Sequence, residues 1–357
     1  MGWKYSQAPI VQAPLAGAQD EALAIAVCRA GGLGSLPCAM LGADQVREQV
    51  ARLRAETDAS FNLNFFAHRP PQPDDEALRR WREALAPFYD ELGLDRKASA
   101  PAALRQPFND AFCALVEALR PDVVSFHFGL PAPELLQRVQ SAGAAIFGCA
   151  TTVEEAVWLE RRGVDAVIAQ GAEAGGHRGV FLTDDIARQP GLFALLPQVV
   201  SAVRVPVIAA GGIADGRGIA AAFALGASAV QIGTAYLRSP QARISAIFRA
   251  ALAQARDDST EVTRLFSGRP ARGIANRLMR ELGPMNDVAP AFPLASQDLA
   301  PLRAAAEARG RCDFSPLWSG QAAALAREED AGDMTRRLWR EAREVVCGLA
   351  GRSDLKL

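Results

Sequence analysis

Short apolar runs alternate with amphipathic helical stretches through the first two thirds of the chain, and this alternation limits the possible folds most. Eight strand candidates can be identified, at residues 10–12, 33–36, 61–66, 123–126, 145–147, 166–169, 207–210 and 229–232. Strands that alternate with helices favour a parallel sheet, because parallel neighbours need a long crossover connection. Eight such units predict an α/β fold, a (β/α)8 TIM barrel, with an open doubly wound sheet as the alternative.

Two segments do not follow this alternation of strands and helices. Residues 69–107 are rich in proline and charge, contain one helical stretch near 75–89, and are predicted to form an insertion after the third strand. Beyond Pro240 the strand alternation stops and the chain is predicted to be mostly helical. We therefore expect a barrel in residues 1–240 and a helical addition in residues 241–357, whose last helices pack back on the barrel.

The composition excludes several functional classes. Lys plus Arg number 39 against 40 Asp plus Glu, so the net charge of −1 gives no general attraction to nucleic acid or to membrane surfaces. No apolar run approaches the roughly 20 residues of a membrane span, and the first residues lack the apolar core of a signal peptide. The six cysteines form no C-x-x-C pair and there are three histidines, so we expect buried reduced thiols, no metal site and a cytoplasmic protein.

Glycine-rich turns follow the seventh and eighth strand candidates. Gly211 and Gly212 follow the seventh strand, and Gly233 and Thr234 follow the eighth. In barrels of this type, phosphate commonly binds after these two strands, where backbone N–H groups and a helix N-terminus approach the anion. The pattern favours a phosphate-bearing ligand, although paired glycines also occur in ordinary tight turns.

Two histidines follow other strands. His177 lies in a loop with four glycines after the sixth strand (170–179), and His127 ends the fourth strand. A histidine titrates near neutrality and can transfer protons at the carboxyl end of a barrel. His177 is alternatively an incidental residue of a surface loop, and His127 a hydrogen-bonded core residue. His68 is given no role.

Other polar residues also fall at strand or helix ends. The amides of Asn64 and Gln170 both donate and accept hydrogen bonds, which suits a ring with imide and carbonyl groups such as a flavin. Residues 151–155 (TTVEE) are predicted to be a helix capping box rather than a catalytic carboxylate pair. Arg269 and Arg272 either reach an anionic ligand or form a solvated loop pair.

The ordered set of motifs resembles the nitronate monooxygenase family, and within it the class I group. The resembling segments cover nearly the whole chain: QAPLAG (12–17), AGGLGS (30–35), FNLNFF (61–66), HFG (127–129), GCATT (148–152), QGAEAGGHRG (170–179), AAGGIADGRG (209–218), QIGT (231–234), FSGRPARGIAN (266–276) and LWSGQ (317–321).

This resemblance implies an FMN-dependent barrel with a substrate-covering helical region that oxidises alkyl nitronates with O2 to a carbonyl compound and nitrite. His177 would be the base that removes the α-proton of a neutral nitroalkane, and His127 would be a substrate-side partner. Phe292 lies in the segment 283–296 that would cover the mouth, and is expected to contact substrate. The implied FMN contacts are Ala13, Pro14, Leu15, Asn64, Gln170, Gly175, Gly176, Gly211, Gly212, Gln231, Gly233 and Thr234.

The chain departs from the family pattern at two places. Leu15 stands where methionine is common, and no tyrosine follows Tyr236, which implies a less polar substrate pocket. Three alternatives stay open: an NAD(P)H-dependent FMN reductase of the enoyl-thioester or quinone reductase type, a non-redox phosphate-binding isomerase or lyase, and a non-catalytic flavin-binding module. The sequence is equally compatible with a monomer and a homodimer.

Overall fold

The eight predicted barrel strands form one parallel sheet. The computed structural model describes residues 3–72, 74–96 and 105–351, and its strands are β1 (Ile10–Gln12), β2 (Gly34–Pro37), β3 (Phe61–Phe66), β4 (Val123–His127), β5 (Ala145–Ala150), β6 (Ala166–Gln170), β7 (Gly176–His177), β8 (Val207–Ala210), β9 (Ala229–Ile232), β10 (Thr260–Thr263) and β11 (Ala271–Ile274). The parallel order is β1-β9-β8-β6-β5-β4-β3-β2, and a parallel bridge between Val11 and Leu33 joins its two ends. The predicted (β/α)8 barrel is confirmed.

Helices follow most of these strands, and several begin at side-chain caps. Asp20, Asn109 and Thr152 each accept a hydrogen bond from a backbone N–H two or three residues further on. The helices are α1 (Glu21–Arg29), α2 (Ala43–Glu56), α3 (Asp75–Leu92), α4 (Asp110–Leu119), α5 (Pro133–Ser141), α6 (Val153–Glu160), α7 (Leu192–Ala202), α8 (Gly216–Ala224), α9 (Ala246–Ala253), α10 (Arg277–Leu282), α11 (Ala295–Glu307) and α12 (Ala331–Ala350).

Strand β3 shows how the sequence alternation builds the barrel. Phe61, Leu63 and Phe65 belong to the apolar core between sheet and helices. The alternate residues Asn62 and Asn64 are buried inside the barrel, where they bond the hydroxyls of neighbouring serines. Successive side chains of a strand point to opposite faces, so this single strand separates an outer apolar core from a polar interior.

The insertion and the C-terminal region share a second apolar core. Trp81 of α3 donates from Nε1 to the Ala295 carbonyl at 3.2 Å, and the Tyr89 hydroxyl donates to the Asp298 carbonyl at 2.7 Å. Side chains from α3, α10 and α11 are buried together in this cluster. Residues far apart in sequence therefore form one layer beside the barrel.

The C-terminal region, predicted to be mostly helical, also contains two short strands. Strands β10 and β11 are antiparallel, and β11 also pairs with β7, which brings Ala271 opposite His177. Strands β10 and β11 have four residues each and β7 has two, which is too short for the apolar–polar alternation of a strand to be recognised in the sequence. This small sheet joins the C-terminal region to the glycine-rich loop after β6.

The last described helix packs back on the barrel. Met334, Leu338 and Ala342 of α12 are buried in the core between the barrel and its helices. The Tyr236 hydroxyl, after β9, is 2.8 Å from Thr335 Oγ1 of the same helix. In the part of the chain that the structure describes, every helix is too short or too polar to cross a bilayer.

Candidate active site

A cavity of about 300 Å³ opens at the carboxyl ends of the barrel strands. His177 and His127 line it, whereas Phe292 does not. All twelve residues predicted to contact a cofactor line this cavity: Ala13, Pro14, Leu15, Asn64, Gln170, Gly175, Gly176, Gly211, Gly212, Gln231, Gly233 and Thr234. The structure thus brings together residues that the sequence spreads over more than two hundred positions.

The turn after β8 has a backbone that suits glycine. Gly211 has φ +121° and Gly212 has φ +68°, conformations that other residues adopt at a cost. The side chain of Asp215 accepts the Arg217 and Gly218 N–H groups at the start of α8. Two N–H groups at this helix N-terminus are therefore already bonded within the protein. The turn 211–214, which precedes the helix, lines the cavity.

The turn after β9 supplies two polar groups. Thr234 Oγ1 accepts a hydrogen bond from the Gly320 N–H at 2.9 Å, which leaves the hydroxyl proton available to donate. Gln231 Oε1 is buried and has no hydrogen-bond partner among the residues that the structure describes. A buried acceptor without a partner costs free energy, so this amide oxygen suits a ligand that presents an N–H group.

The glycine-rich loop after β6 is fixed by two internal side chains. Gln170 donates from Nε2 to the His177 carbonyl at 3.0 Å, and its Oε1 accepts the Gly179 N–H at 2.8 Å. Gln170 lines the cavity, and its amide oxygen and nitrogen also shape the loop beside it; its predicted contact with a ligand stays a prediction. A side chain at Gly175 would place Cβ 2.5 Å from the Gly320 nitrogen, so close backbone approach requires glycine there.

Arg178 lies inside this loop and is 1% exposed. Its guanidinium donates to four backbone carbonyls of the loop, those of residues 171, 172, 174 and 176. Burial, together with the positive charge of Arg272, lowers the pKa of Arg178 to about 9. The loop therefore encloses a cation that remains charged at neutral pH.

The ring of His177 lies between the cavity and a group of aromatic side chains. Its centroid is 5.5 Å from the Trp318 and Phe292 rings and 5.8 Å from the Phe128 ring. Its Nε2 is 2.8 Å from Ser267 Oγ. Burial lowers the pKa of His177 well below its ordinary value of 6.5, and nearby cations, Arg105 first, lower it further. The imidazole is therefore neutral at physiological pH rather than near its titration midpoint.

His127, predicted to be a substrate-side partner, also bonds the main chain of His177. Its Nε2 is 3.2 Å from the His177 carbonyl oxygen, which can only accept. Burial lowers the pKa of His127 to about 4, although this hydrogen bond acts in the opposite direction. His127 lines the cavity while its Nε2 is engaged with the protein.

Phe292 lies behind His177 and does not line the cavity. Its ring is 4.8 Å from His68, 5.5 Å from His177 and 5.5 Å from Phe128. The predicted contact between Phe292 and substrate stays a prediction. His68, which received no role from the sequence, is buried here, and its Nδ1 has no hydrogen-bond partner in the described part of the chain. Burial lowers the pKa of His68 to about 4.

Arg105 is a cavity residue that the sequence did not reveal. Its guanidinium donates to Ser296 Oγ at 3.1 Å and lies 6.0 Å from the Phe292 ring centroid. Within the described residues it forms no ion pair, whereas Arg303, also at the cavity, pairs with Glu307 at 2.8 Å. The sequence around Arg105 contains no motif that distinguishes it from the other arginines. Its place at the cavity becomes visible only once the position of the insertion is known.

The other polar motifs have structural partners. Arg269 donates to the Val180 carbonyl and lies 4.2 Å from the Phe128 ring centroid, and Arg272 donates to the Ala172 carbonyl. Thr152 caps α6 as predicted, but the Glu155 carboxylate bonds Thr151 rather than closing the capping box. Asn64 donates from Nδ2 to Ser125 Oγ at 2.9 Å.

The fold and the site define a (β/α)8-barrel enzyme whose cavity combines glycine-rich turns, a buried amide oxygen without a partner among the described residues, and a neutral, partly buried histidine. The sequence model named nitronate monooxygenase matches residues 2–341 of this chain. The chain belongs to the nitronate monooxygenase family and is an oxidoreductase.

Named relatives and solved structures are similar to this chain over nearly its whole length. The chain is similar, at 42% identity over 345 residues, to a nitronate monooxygenase of Paraburkholderia phytofirmans, covering 95% of this chain and 93% of that protein. It is also 42% identical over 343 residues to a nitronate monooxygenase of Pseudomonas aeruginosa, covering 94% and 97%. The crystal structure of nitroalkane oxidase from Streptomyces ansochromogenes matches with TM-score 0.88 and 40% identity over 97% of this chain and 98% of that one. The structure of FabK from Thermotoga maritima matches with TM-score 0.74 and 29% identity over 97% and 96%.

Proposed function

We propose that this enzyme uses FMN and O2 to oxidise alkyl nitronates to a carbonyl compound and nitrite. The observation that carries the proposal is the neutral ring of His177 in the wall of the same cavity as the two glycine-rich turns. A base and a phosphate cradle in one cavity suit a phosphate-bearing cofactor beside a substrate that loses a proton. The names of the relatives support the nitronate as substrate.

The residues present fit FMN. The turn at Gly211 and Gly212 and the hydroxyl of Thr234 suit the phosphate, since backbone N–H groups and a hydroxyl donate to anions. The unpartnered Gln231 Oε1 suits the imide N–H of the ring. The flavin, when bound, supplies the redox chemistry, and we propose that the twelve cavity-lining residues named above hold it.

The charges around the cavity suit an anionic substrate. Arg105 is without an ion-pair partner in the described residues, and it is the main charge that lowers the pKa of His177. The same positive charge stabilises a nitronate anion formed beside it, so a weak base can still deprotonate a neutral nitroalkane. Phe66 and Trp318 also line the cavity, which gives the alkyl part an apolar contact.

The test compares two substrates in the variant His177→Asn. A neutral nitroalkane must lose its α-proton in the site, whereas a preformed nitronate has already lost it. We expect kcat/KM for the nitroalkane to fall by about 10²–10⁴, the usual contribution of a general base, while turnover of the nitronate largely persists. Equal losses on both substrates would make His177 a binding or structural residue.

The visible spectrum separates this proposal from the alternatives. A yellow protein whose flavin is bleached anaerobically by a nitronate but not by NADH or NADPH supports the monooxygenase. Rapid bleaching by a nicotinamide cofactor would instead favour the reductase, and a colourless protein that retains no FMN after reconstitution would favour a non-redox barrel. A flavin that responds to neither reductant would indicate a binding module.

A further inference from the structure

Ser267 makes three close polar contacts behind the ring of His177. Its Oγ is 2.8 Å from His177 Nε2, 3.2 Å from the Arg269 carbonyl oxygen and 3.4 Å from the Arg269 backbone nitrogen. The residue is 1% exposed, so its hydroxyl is held among these protein groups.

The three contacts can all be satisfied in one arrangement of protons. A hydroxyl donates one proton and accepts with two lone pairs. The Arg269 carbonyl can only accept and the Arg269 N–H can only donate, so the hydroxyl proton belongs on the carbonyl. The Ser267 oxygen then accepts from His177, which requires a proton on Nε2. If the hydroxyl donated to Nε2 instead, the contact with the carbonyl would lack a proton.

We propose that Ser267 is a positioning residue that holds His177 in its Nε2–H tautomer, so that Nδ1 is the atom that accepts the substrate proton. This inference rests on the proposed function. In the step, the α C–H bond of a neutral nitroalkane breaks, an N–H bond forms at Nδ1, and the C–H electron pair moves onto the nitro group to give the nitronate. The step needs no oxidant.

Contacts with the histidine loop and with the segment that carries Phe292 hold Ser267 in this position. The pairing of β7 with β11 brings His177 opposite Ala271, and the Arg178 N–H donates to the Pro270 carbonyl at 2.9 Å. Gly268 has φ +89°, and a Cβ there would clash with the Pro290 carbonyl oxygen. The loop after β10 is therefore tied to the histidine loop and to the segment that carries Phe292.

Nitrogen NMR of the flavin-loaded enzyme tests the tautomer directly. The chain has three histidines, so ¹⁵N-histidine labelling gives few signals, and His177→Asn identifies those of His177. We expect a protonated Nε2 and an unprotonated Nδ1 at pH 7.5 in the wild type, and a mixture of tautomers in Ser267→Ala. A protonated Nδ1 in the wild type, or an unchanged tautomer in Ser267→Ala, would overturn the proposal.

Kinetics provide the second measurement. Ser267→Ala is expected to lower kcat/KM for a neutral nitroalkane about tenfold, the effect of losing one buried hydrogen bond, and to leave the nitronate reaction within about twofold. Ser267→Thr keeps the hydroxyl and should restore most of the loss. Equal kinetic losses on both substrates would contradict the proposal. An enzyme with the expected tautomer that turns over neither substrate would overturn the proposed function but not the tautomer assignment. If Ser267→Ala does not fold, the nitrogen NMR spectrum of the wild type alone decides which ring nitrogen of His177 carries the proton.

Discussion

His127 donates a hydrogen bond from Nε2 to the main-chain carbonyl of His177 across 3.2 Å. The carbonyl has no proton to give, so the direction of this bond is fixed and Nε2 of His127 carries a hydrogen. Burial lowers the pKa of His127 to about 4, so its Nδ1 is unprotonated at neutral pH. Both histidines line the cavity, and His127 in addition bonds the backbone behind the His177 ring.

The first prediction concerns this hydrogen bond. His127→Ala should lower kcat/KM for a neutral nitroalkane about tenfold, because the His177 carbonyl loses one of its two donors and keeps the Gln170 amide, while FMN stays bound. His127→Gln is the matched control, since its amide N–H can replace Nε2 and should recover most of the activity. The measurement is steady-state kinetics with flavin absorbance. Wild-type kinetics in His127→Ala would show that the hydrogen bond has no positioning role.

The second prediction concerns the turn after β8. Gly212→Asp should abolish FMN retention, because a carboxylate and a Cβ would occupy the place where backbone approaches the phosphate. Gly93→Asp is the matched control, since Gly93 also has φ +68° and does not line the cavity. Both substitutions carry a similar backbone cost of about 1–2 kcal/mol, so comparable thermal stability with flavin lost in Gly212→Asp alone is expected. Normal flavin content in that variant would refute the phosphate assignment.

The third prediction concerns substrate charge. Arg105→Gln should raise KM for a nitronate about tenfold, because the anion loses a charge-assisted partner, and should change KM for a neutral nitroalkane much less. Arg105→Lys keeps the charge and should recover part of the affinity. The wild-type KM for the nitronate should also rise with salt, which screens this attraction, and the variant Arg105→Gln should lose that dependence. Equal changes for both substrates would argue against a charge effect.

The fourth prediction concerns stability at acidic pH. The pKa of His68 falls from 6.5 to about 4 on burial, so the unfolded chain binds a proton between these values that the folded protein does not. Stability therefore rises with pH through this window and is lost as the pH falls, by on the order of 1 kcal/mol for His68 between pH 7.5 and 5.5. His127 and His177, whose pKa values are also lowered, add to the same trend.

Urea unfolding of His68→Leu tests this contribution. The substitution removes a titrating group and a buried nitrogen that has no partner among the described residues, so stability at pH 7.5 should be unchanged or higher. The loss of stability between pH 7.5 and 5.5 should be smaller than in the wild type by that same order of 1 kcal/mol. Parallel pH profiles for the two proteins would mean that His68 is not buried in its neutral form.

The sequence determined much of the barrel and the composition of its cavity, because both depend on local patterns. The alternation in β3 separates Phe65 from Asn64 wherever the strand lies, and a parallel barrel places the carboxyl ends of all its strands on one face. Glycine turns such as the one at Gly212 and the histidine loop after β6 were predictable for that reason. Their convergence on one cavity follows from the closure of the sheet.

The tertiary structure alone decided which partner each side chain has. Strands β10 and β11 form because they pair with each other and with β7, and that pairing brings Ser267 to His177 across a separation of 90 residues. Arg105 reaches the cavity because the insertion packs with the C-terminal helices. The lowered pKa of His177 likewise reflects burial and charges from distant segments. These properties depend on contacts between segments far apart in sequence, whereas a local pattern constrains only a residue's immediate neighbours.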